Sequence, residues 1–356
     1  MDFKNFHAII DARTPSEYAL DHIPGAVNAP VLDDAERAQV GALYKRVSPF
    51  EAKKVGGALV AKNVAHHLQT LFKAAPKDWK PLVYCWRGGK RSGAMAHILR
   101  EVGWDAQTLP GGYRAYRRWV VHELQELPPR LRFHVVHGPT GSGKSRFLAA
   151  LARAGAQVLD LEALAAHRGS VLGGLPRQPQ PSQKWFESQL LARLAELDPA
   201  RPAYVEGESK KIGQVQVPEA LMAVMRASAC VVLDSALDTR IELLLQEYQH
   251  FMLDRGALEA QLDCLVALHG RETIAQWKSL AASGDWRAFV ARLLVEHYDP
   301  AYARSSTRNF VRLADAPRLR IRGADDDAFD AAARELLGVQ AGKDADVLHG
   351  AAAERA

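Results

Sequence analysis

The chain has 356 residues, a length that fits two domains better than one, and its 48% hydrophobic and 24% charged residues read as globular and folded. No run of eighteen apolar residues is present, so no membrane span is expected, and the opening MDFKNFHAII lacks a basic-then-apolar signal pattern. Cys85, Cys230 and Cys264 show no CxxC spacing, which argues against a disulfide framework and for a cytoplasmic protein; the net charge of +5 permits a nucleic-acid partner without requiring one.

His7–Asp11 (HAIID) predicts a buried strand. Thr14-Pro15-Ser16-Glu17 predicts a helix start, Ile23-Pro24-Gly25-Ala26 a turn, and Val27-Asn28 resumes the chain. Residues 33–46 and 52–73 predict two helices from apolar residues at helical spacing. Lys45, Arg46, Lys53, Lys54 and Lys62 make this stretch basic, either a solvated face or a surface for the phosphates of a polyanion. His66 and His67 are adjacent and point in different directions, so they read as structural or surface residues.

LVYCWRGGKRS (82–92) is a short apolar run ending in Cys85, then a Gly-bearing basic loop, then a helix from Ser92. Backbone N–H groups of such a loop converge on one centre, and the helix N-terminus adds positive potential. Both favour Cys85 as thiolate, the nucleophilic form. Arg87, Gly88, Gly89, Lys90, Arg91 and Ser92 are the candidate anion cradle around it. A buried cysteine followed by a solvated basic turn is the plainer alternative; glycines and cations in the same loop weigh against it. A helix over 93–102 and a strand over 105–109 follow, then LPGGYRAYRRW, and Pro128-Pro129 marks a linker.

Phe133–His137 predicts a strand that runs into GPTGSGKS, a P-loop pattern satisfied at Gly138, Gly143, Lys144 and Ser145. Thr140, Gly141 and Ser142 complete the phosphate cradle; Lys144 reaches terminal phosphates, and Ser145 holds Mg²⁺ if a metal is bound. Residues 157–161 and 203–208 predict further strands, and either Asp160 or Glu206 could be the carboxylate near that metal. His167 and Arg168 sit in a Gly-rich turn with donors suited to phosphate. Residues 206–213 are dense in charge after a strand, either a solvated run or a ligand site at the C-terminal strand edge, where α/β sheets bind ligands. Residues 230–234 predict a buried strand with Cys230 inert, 237–297 a helical region with Cys264 in an apolar setting, 319–321 a last strand and 325–337 a last helix. The tail from Gln340 is expected to be disordered.

Asp-x-Arg, Glu-Tyr, His-Ile-Pro-Gly-Ala-x-Asn, the Cys85 loop and Gly-Gly-Tyr, in that order, resemble a rhodanese domain, an α/β domain that carries sulfur or selenium on its loop cysteine. The loop from Cys85 to Arg91 is longer than in the commonest rhodaneses and is also the spacing of rhodanese-like dual-specificity phosphatases. That leaves a Cys-dependent phosphatase or sulfurtransferase fused to an ATPase as an alternative, and a non-catalytic nucleotide-gated scaffold as another.

Together with ERAQVGALYKR (36–46), CWRGGKRS (85–92), DLEALAAHRGS (160–170), VEGESKKIG (205–213) and EHYDPAY (296–302), the two motifs resemble the tRNA 2-selenouridine synthase family over about residues 4–340. The longer cysteine loop is what that family shows. The resemblance implies an α/β chain: residues 1–128 a rhodanese-like domain with a helical insertion at about 33–80, and 129–340 a P-loop NTPase-like parallel-sheet domain with a helical region at about 236–300, before the 341–356 tail. It implies a transferase acting on tRNA with wobble 2-thiouridine. Geranyl diphosphate alkylates the sulfur, selenophosphate supplies selenium, and Cys85 carries an S-selanyl group. It also implies a selenophosphate-supplying enzyme as partner and no tightly bound cofactor. On this reading Trp86, beside the nucleophile, is a candidate platform for stacking the splayed anticodon base.

Overall fold

The structure, a computed structural model, describes residues 1–338 apart from 88, 171 and 177, with backbone only over 305–309. Gly88 of the cysteine loop and the tail from Gln340 lie outside the described residues. The chain packs as two compact units: residues 1–124 with 181–192, and residues 125–180 with 193 onward. No helix among the described residues is long and apolar enough to cross a membrane.

The first unit is built on a four-stranded parallel sheet, β1 (Ala8–Asp11), β2 (Val27–Asn28), β3 (Pro81–Tyr84) and β4 (Gln107–Thr108), in the order β2-β1-β3-β4. All four residues of β3 are buried, as a parallel strand covered on both faces requires. Thr14 and Glu17 close a reciprocal capping box on helix Pro15–Leu20. Arg13, 1% exposed, pairs with Asp11 at 2.6 Å, donates to the Asp21 carbonyl at 2.6 Å and lies 4.0 Å over the Tyr113 ring. The Asn28 amide donates to the Asp11 and Arg13 carbonyls, and the Tyr113 hydroxyl donates to Asp21 at 2.7 Å. The Asp-x-Arg, x-Asn and Gly-Gly-Tyr signatures are thus one buried polar network beneath the cysteine loop, which the Tyr113 N–H reaches at the Cys85 carbonyl (2.8 Å). Helices Asp34–Arg46 and Pro49–Gln69 form a hairpin joined at Val47-Ser48, starting three residues earlier on the second arm than the apolar spacing predicts because Ser48 caps it.

The second unit has a five-stranded parallel sheet. Its strands are β5 (Phe133–His137), β6 (Gln157–Leu159), β7 (Ala203–Glu206), β10 (Ala229–Ser235) and β11 (Arg318–Ile321), in the order β11-β10-β5-β7-β6, with a small antiparallel pair β8 (Lys211–Ile212) and β9 (Val215–Gln216). Helix Lys144–Arg153 and the helix at 326–338 bury Phe147, Leu148, Leu151 and Phe329 against Val136, Tyr204, Val231 and Leu233. Residues 237–309 are helical with a separate core around Trp277. Cys230 is buried as expected, whereas Cys264 is exposed at a helix end rather than in an apolar setting. The charged run 205–213 is partly strand: its backbone turns through Gly213 to pair β8 with β9.

Candidate active site

Cys85 directly follows β3 and is 4% exposed. The following helix begins at Lys90, two residues before the predicted start, so Lys90 and Arg91 form its first turn and Gly89 is its N-cap. Gly89 has no side chain to fill the cap, so the first helical N–H groups carry no side-chain cap and can turn toward the loop centre. Burial opposes the Cys85 thiolate. Donation to the sulfur from the Ser92 hydroxyl at 3.2 Å and from the N–H groups of Ser92, Gly89 and Arg87 outweighs burial and holds the thiol below its ordinary pKa. The Ser92 oxygen is also 3.3 Å from the Gly89 carbonyl, and its one proton has a stronger acceptor in a thiolate than in an amide oxygen.

The three cations of the loop divide. Arg91 is paired with Glu17 at 2.7 Å, both largely buried, while Arg87 and Lys90 are exposed. Glu17 is held below its ordinary value: burial raises it, but the hydrogen bond and charge of Arg91 and the Thr14 N–H prevail. Glu17 escapes a sequence reading because its visible role is to cap a helix. Trp86 is 38% exposed and stacks on Tyr113 at 5.3 Å, so one face is committed to the protein.

In the second unit the P-loop joins β5 to helix Lys144–Arg153, as its pattern requires. Gly138, Thr140, Gly141, Ser142, Gly143, Lys144 and Ser145 all line one open cleft with Glu162, Arg168, Glu208, Tyr248, His297 and Tyr302. Lys144 is held above its ordinary pKa. Burial disfavours the ammonium, but Glu208 and Glu162, then Tyr302 and Glu206, favour it more. The Ser145 hydroxyl donates to Glu162 at 3.0 Å. Asp160 caps helix Leu161–Ala165 through the Ala163 N–H (2.7 Å), and Glu206 accepts from the Glu162 N–H (2.6 Å).

The carboxylate brought to Ser145 is therefore Glu162, two residues beyond one sequence candidate. Burial and the charge of Glu208 push Glu162 up to about 8 against the pull of Lys144 and Ser145. Burial, with Asp160 and Glu162 beside it, raises Glu206 well above the carboxylate range, and its second oxygen has no partner among the described residues. Arg168 leans on the Tyr248 ring at 4.8 Å and donates to the Glu247 carbonyl at 2.6 Å, while His167 accepts from the Gly169 N–H. His137, just before the loop, is buried and held neutral down to about pH 4 by burial and the charge of Lys144.

The first unit can thus hold a thiolate in a ring of donors, and the second an anion against an ammonium among acids. A rhodanese-like domain model matches residues 1–118, and a model described as the tRNA 2-selenouridine synthase AAA domain matches residues 131–269. The tRNA 2-selenouridine synthase of Bdellovibrio bacteriovorus is 37% identical over 345 residues, 85% of this chain and 90% of that one. That of Marinobacter nauticus is 36% identical over 331 residues, covering 84% and 88%. The Nitrosomonas europaea protein of the same name is 37% identical over 244 residues, 67% of this chain but 63% of its own length, so there the match spans less than two thirds of the relative.

Proposed function

The chain belongs to the tRNA 2-selenouridine synthase family, and from that membership we propose that it converts wobble 2-thiouridine in tRNA to 2-selenouridine through an S-geranylated intermediate. In the first step the thiouridine sulfur attacks the first carbon of geranyl diphosphate, the carbon–oxygen bond breaks and diphosphate leaves. In the second, selenium derived from selenophosphate attacks C2 of the base, the carbon–sulfur bond breaks and geranylthiol leaves. The P-loop amides and Lys144 receive the diphosphate, whose departure needs charge stabilisation. Cys85 carries the selenium as an S-selanyl group, entering the cycle as a mixed disulfide with a small thiol. The selenium attacks the Cys85 sulfur, the small thiolate leaves and water takes the phosphoryl group. Once the terminal selenium has displaced geranylthiol from C2, the small thiol attacks the Cys85 sulfur, the Se–S bond breaks, selenouridine leaves and the mixed disulfide is restored. A separate selenophosphate-forming enzyme supplies the donor.

The observation that supports this role for Cys85 is the ring of four donors on its sulfur, which favours an anionic chalcogen there. The phosphatase alternative needs Arg91 for phosphate oxygens, but that guanidinium is engaged by Glu17. Magnesium fits the P-loop residues: the Ser145 hydroxyl and Glu162 carboxylate are hard oxygen donors, and Mg²⁺ commonly takes one or two carboxylates and completes its shell with water and substrate phosphate. Bound there, the ion would neutralise charge on the diphosphate among the surrounding acids.

Mass spectrometry of nucleosides from 2-thiouridine tRNA tests the reading, with no donor, geranyl diphosphate alone, selenophosphate alone, or both. The expected products are geranylated thiouridine with the first donor and selenouridine with both. Lys144→Ala slows geranylation by about 10²-fold or more, Cys85→Ala stops at the geranylated base, and EDTA slows only the geranyl step. Unchanged thiouridine in all four samples from folded protein overturns the proposal.

A further inference from the structure

The hairpin of helices Asp34–Arg46 and Pro49–Gln69 stands out in the first unit. Its first helix has no buried residue, and such a helix gains little from packing. Its tip nevertheless holds Tyr44, Val47 and Phe50 in solvent, at 58%, 65% and 70% exposure. Lys45, Arg46, Lys53 and Lys54 surround them, all exposed. Of these only Lys54 has a carboxylate, Glu51 at 2.8 Å, among the described residues. Further down the hairpin Glu36 takes both Lys62 and the Asn63 amide. Within the hairpin, cations without a carboxylate and bare aromatic rings therefore coincide at the tip, among the described residues.

We propose that this tip, Tyr44 to Lys54, is a docking surface for unpaired RNA, with bases stacking on Tyr44 and Phe50 and phosphates taken by Lys45, Arg46 and Lys53. Unstacked bases offer a π-face to any aromatic ring, and the backbone linking them needs cations at short intervals. A protein partner is disfavoured because interface cores are depleted in lysine. Duplex RNA is disfavoured because its bases present no free face. That the RNA is a tRNA loop rests on the function proposed above; the preference for unpaired RNA rests on the tip itself.

The test uses the full chain and two probes, an RNA stem-loop and a blunt RNA duplex of equal length, titrated by fluorescence anisotropy over a salt series. Tyr44→Ala with Phe50→Ala is expected to weaken stem-loop binding about tenfold or more and leave duplex binding unchanged, while Tyr44→Phe with Phe50→Tyr binds as the parent. Replacing Lys45, Arg46 and Lys53 by Gln lowers the slope of log K against log salt by about 2. Because these side chains are exposed, the variants keep the parent's melting curve. Stem-loop binding equal to the parent in the alanine variant overturns the proposal. So does equal loss on both probes, or a change in oligomeric state without a change in RNA affinity. If the alanine variant loses RNA while the parent fails to convert thiouridine, the surface stands and the reaction falls; the opposite pair of results removes the surface alone.

Discussion

Two opposed effects meet on the sulfur of Cys85: burial, which favours the neutral thiol, and four hydrogen-bond donors, which favour the thiolate and win. A group whose folded pKa is depressed adds stability above its unfolded pKa and loses that contribution as pH falls through the folded one. Alkylation of Cys85 followed by intact mass therefore has its midpoint below the ordinary thiol value, and Ser92→Ala moves the midpoint upward by removing the side-chain donor. A midpoint unmoved by Ser92→Ala would assign the thiolate to the backbone N–H groups alone. Cys85 and Lys144 stood out in the sequence because each sits inside its own short motif. Their partners did not. Glu17 meets Arg91 from 74 residues away and Glu162 meets Ser145 from 17, separations that only the folded sheet closes.

At the scale of elements, the P-loop depends on how closely another helix approaches it. Gly143 has φ +82°, and a Cβ there would lie 2.3 Å from a ring carbon of Phe329, which is fully buried. Gly155 has a similar φ of +85° with nothing within 4 Å. Gly155→Ala carries only the backbone cost, about 1 kcal/mol. Gly143→Ala adds a clash with a packed aromatic and is expected to cost about 2–4 kcal/mol. Urea denaturation of the two variants separates the terms, and equal midpoints would mean that the helix at 326–338 yields freely. The strand–loop–helix order around both motifs was readable from apolar runs and glycines. The β8–β9 pair was not: strands of two residues carry no alternation, and Lys210 and Lys211 disguise them.

For the whole molecule, the motifs place residues 129–340 in the second domain, whereas residues 181–192 pack with the first unit, so the chain passes between the units at three places. A Pro-Pro linker is visible in composition, whereas a returning segment has no such mark because it is an ordinary helix on either side of the division. The contacts within the first unit are specific. Trp185 stacks on His22 at 4.0 Å, which stacks on Tyr18 at 3.8 Å. Arg117 pairs with Glu187, and the Ser182 hydroxyl donates to the Leu20 carbonyl. Burial between the two rings lowers the pKa of His22, so the sandwich is neutral and cohesive near pH 7. Removing one outer ring of a half-buried stack costs about 1–2 kcal/mol, and 1.4 kcal/mol is tenfold in an opening equilibrium. Trp185→Ala is therefore expected to speed hydrogen exchange about tenfold in peptides over 15–22, measured by mass spectrometry, and to leave the central strand at 229–235 unchanged. Exchange unchanged at 15–22 would detach the returning segment from the first unit in solution; acceleration in both regions would mean that the two units open as one.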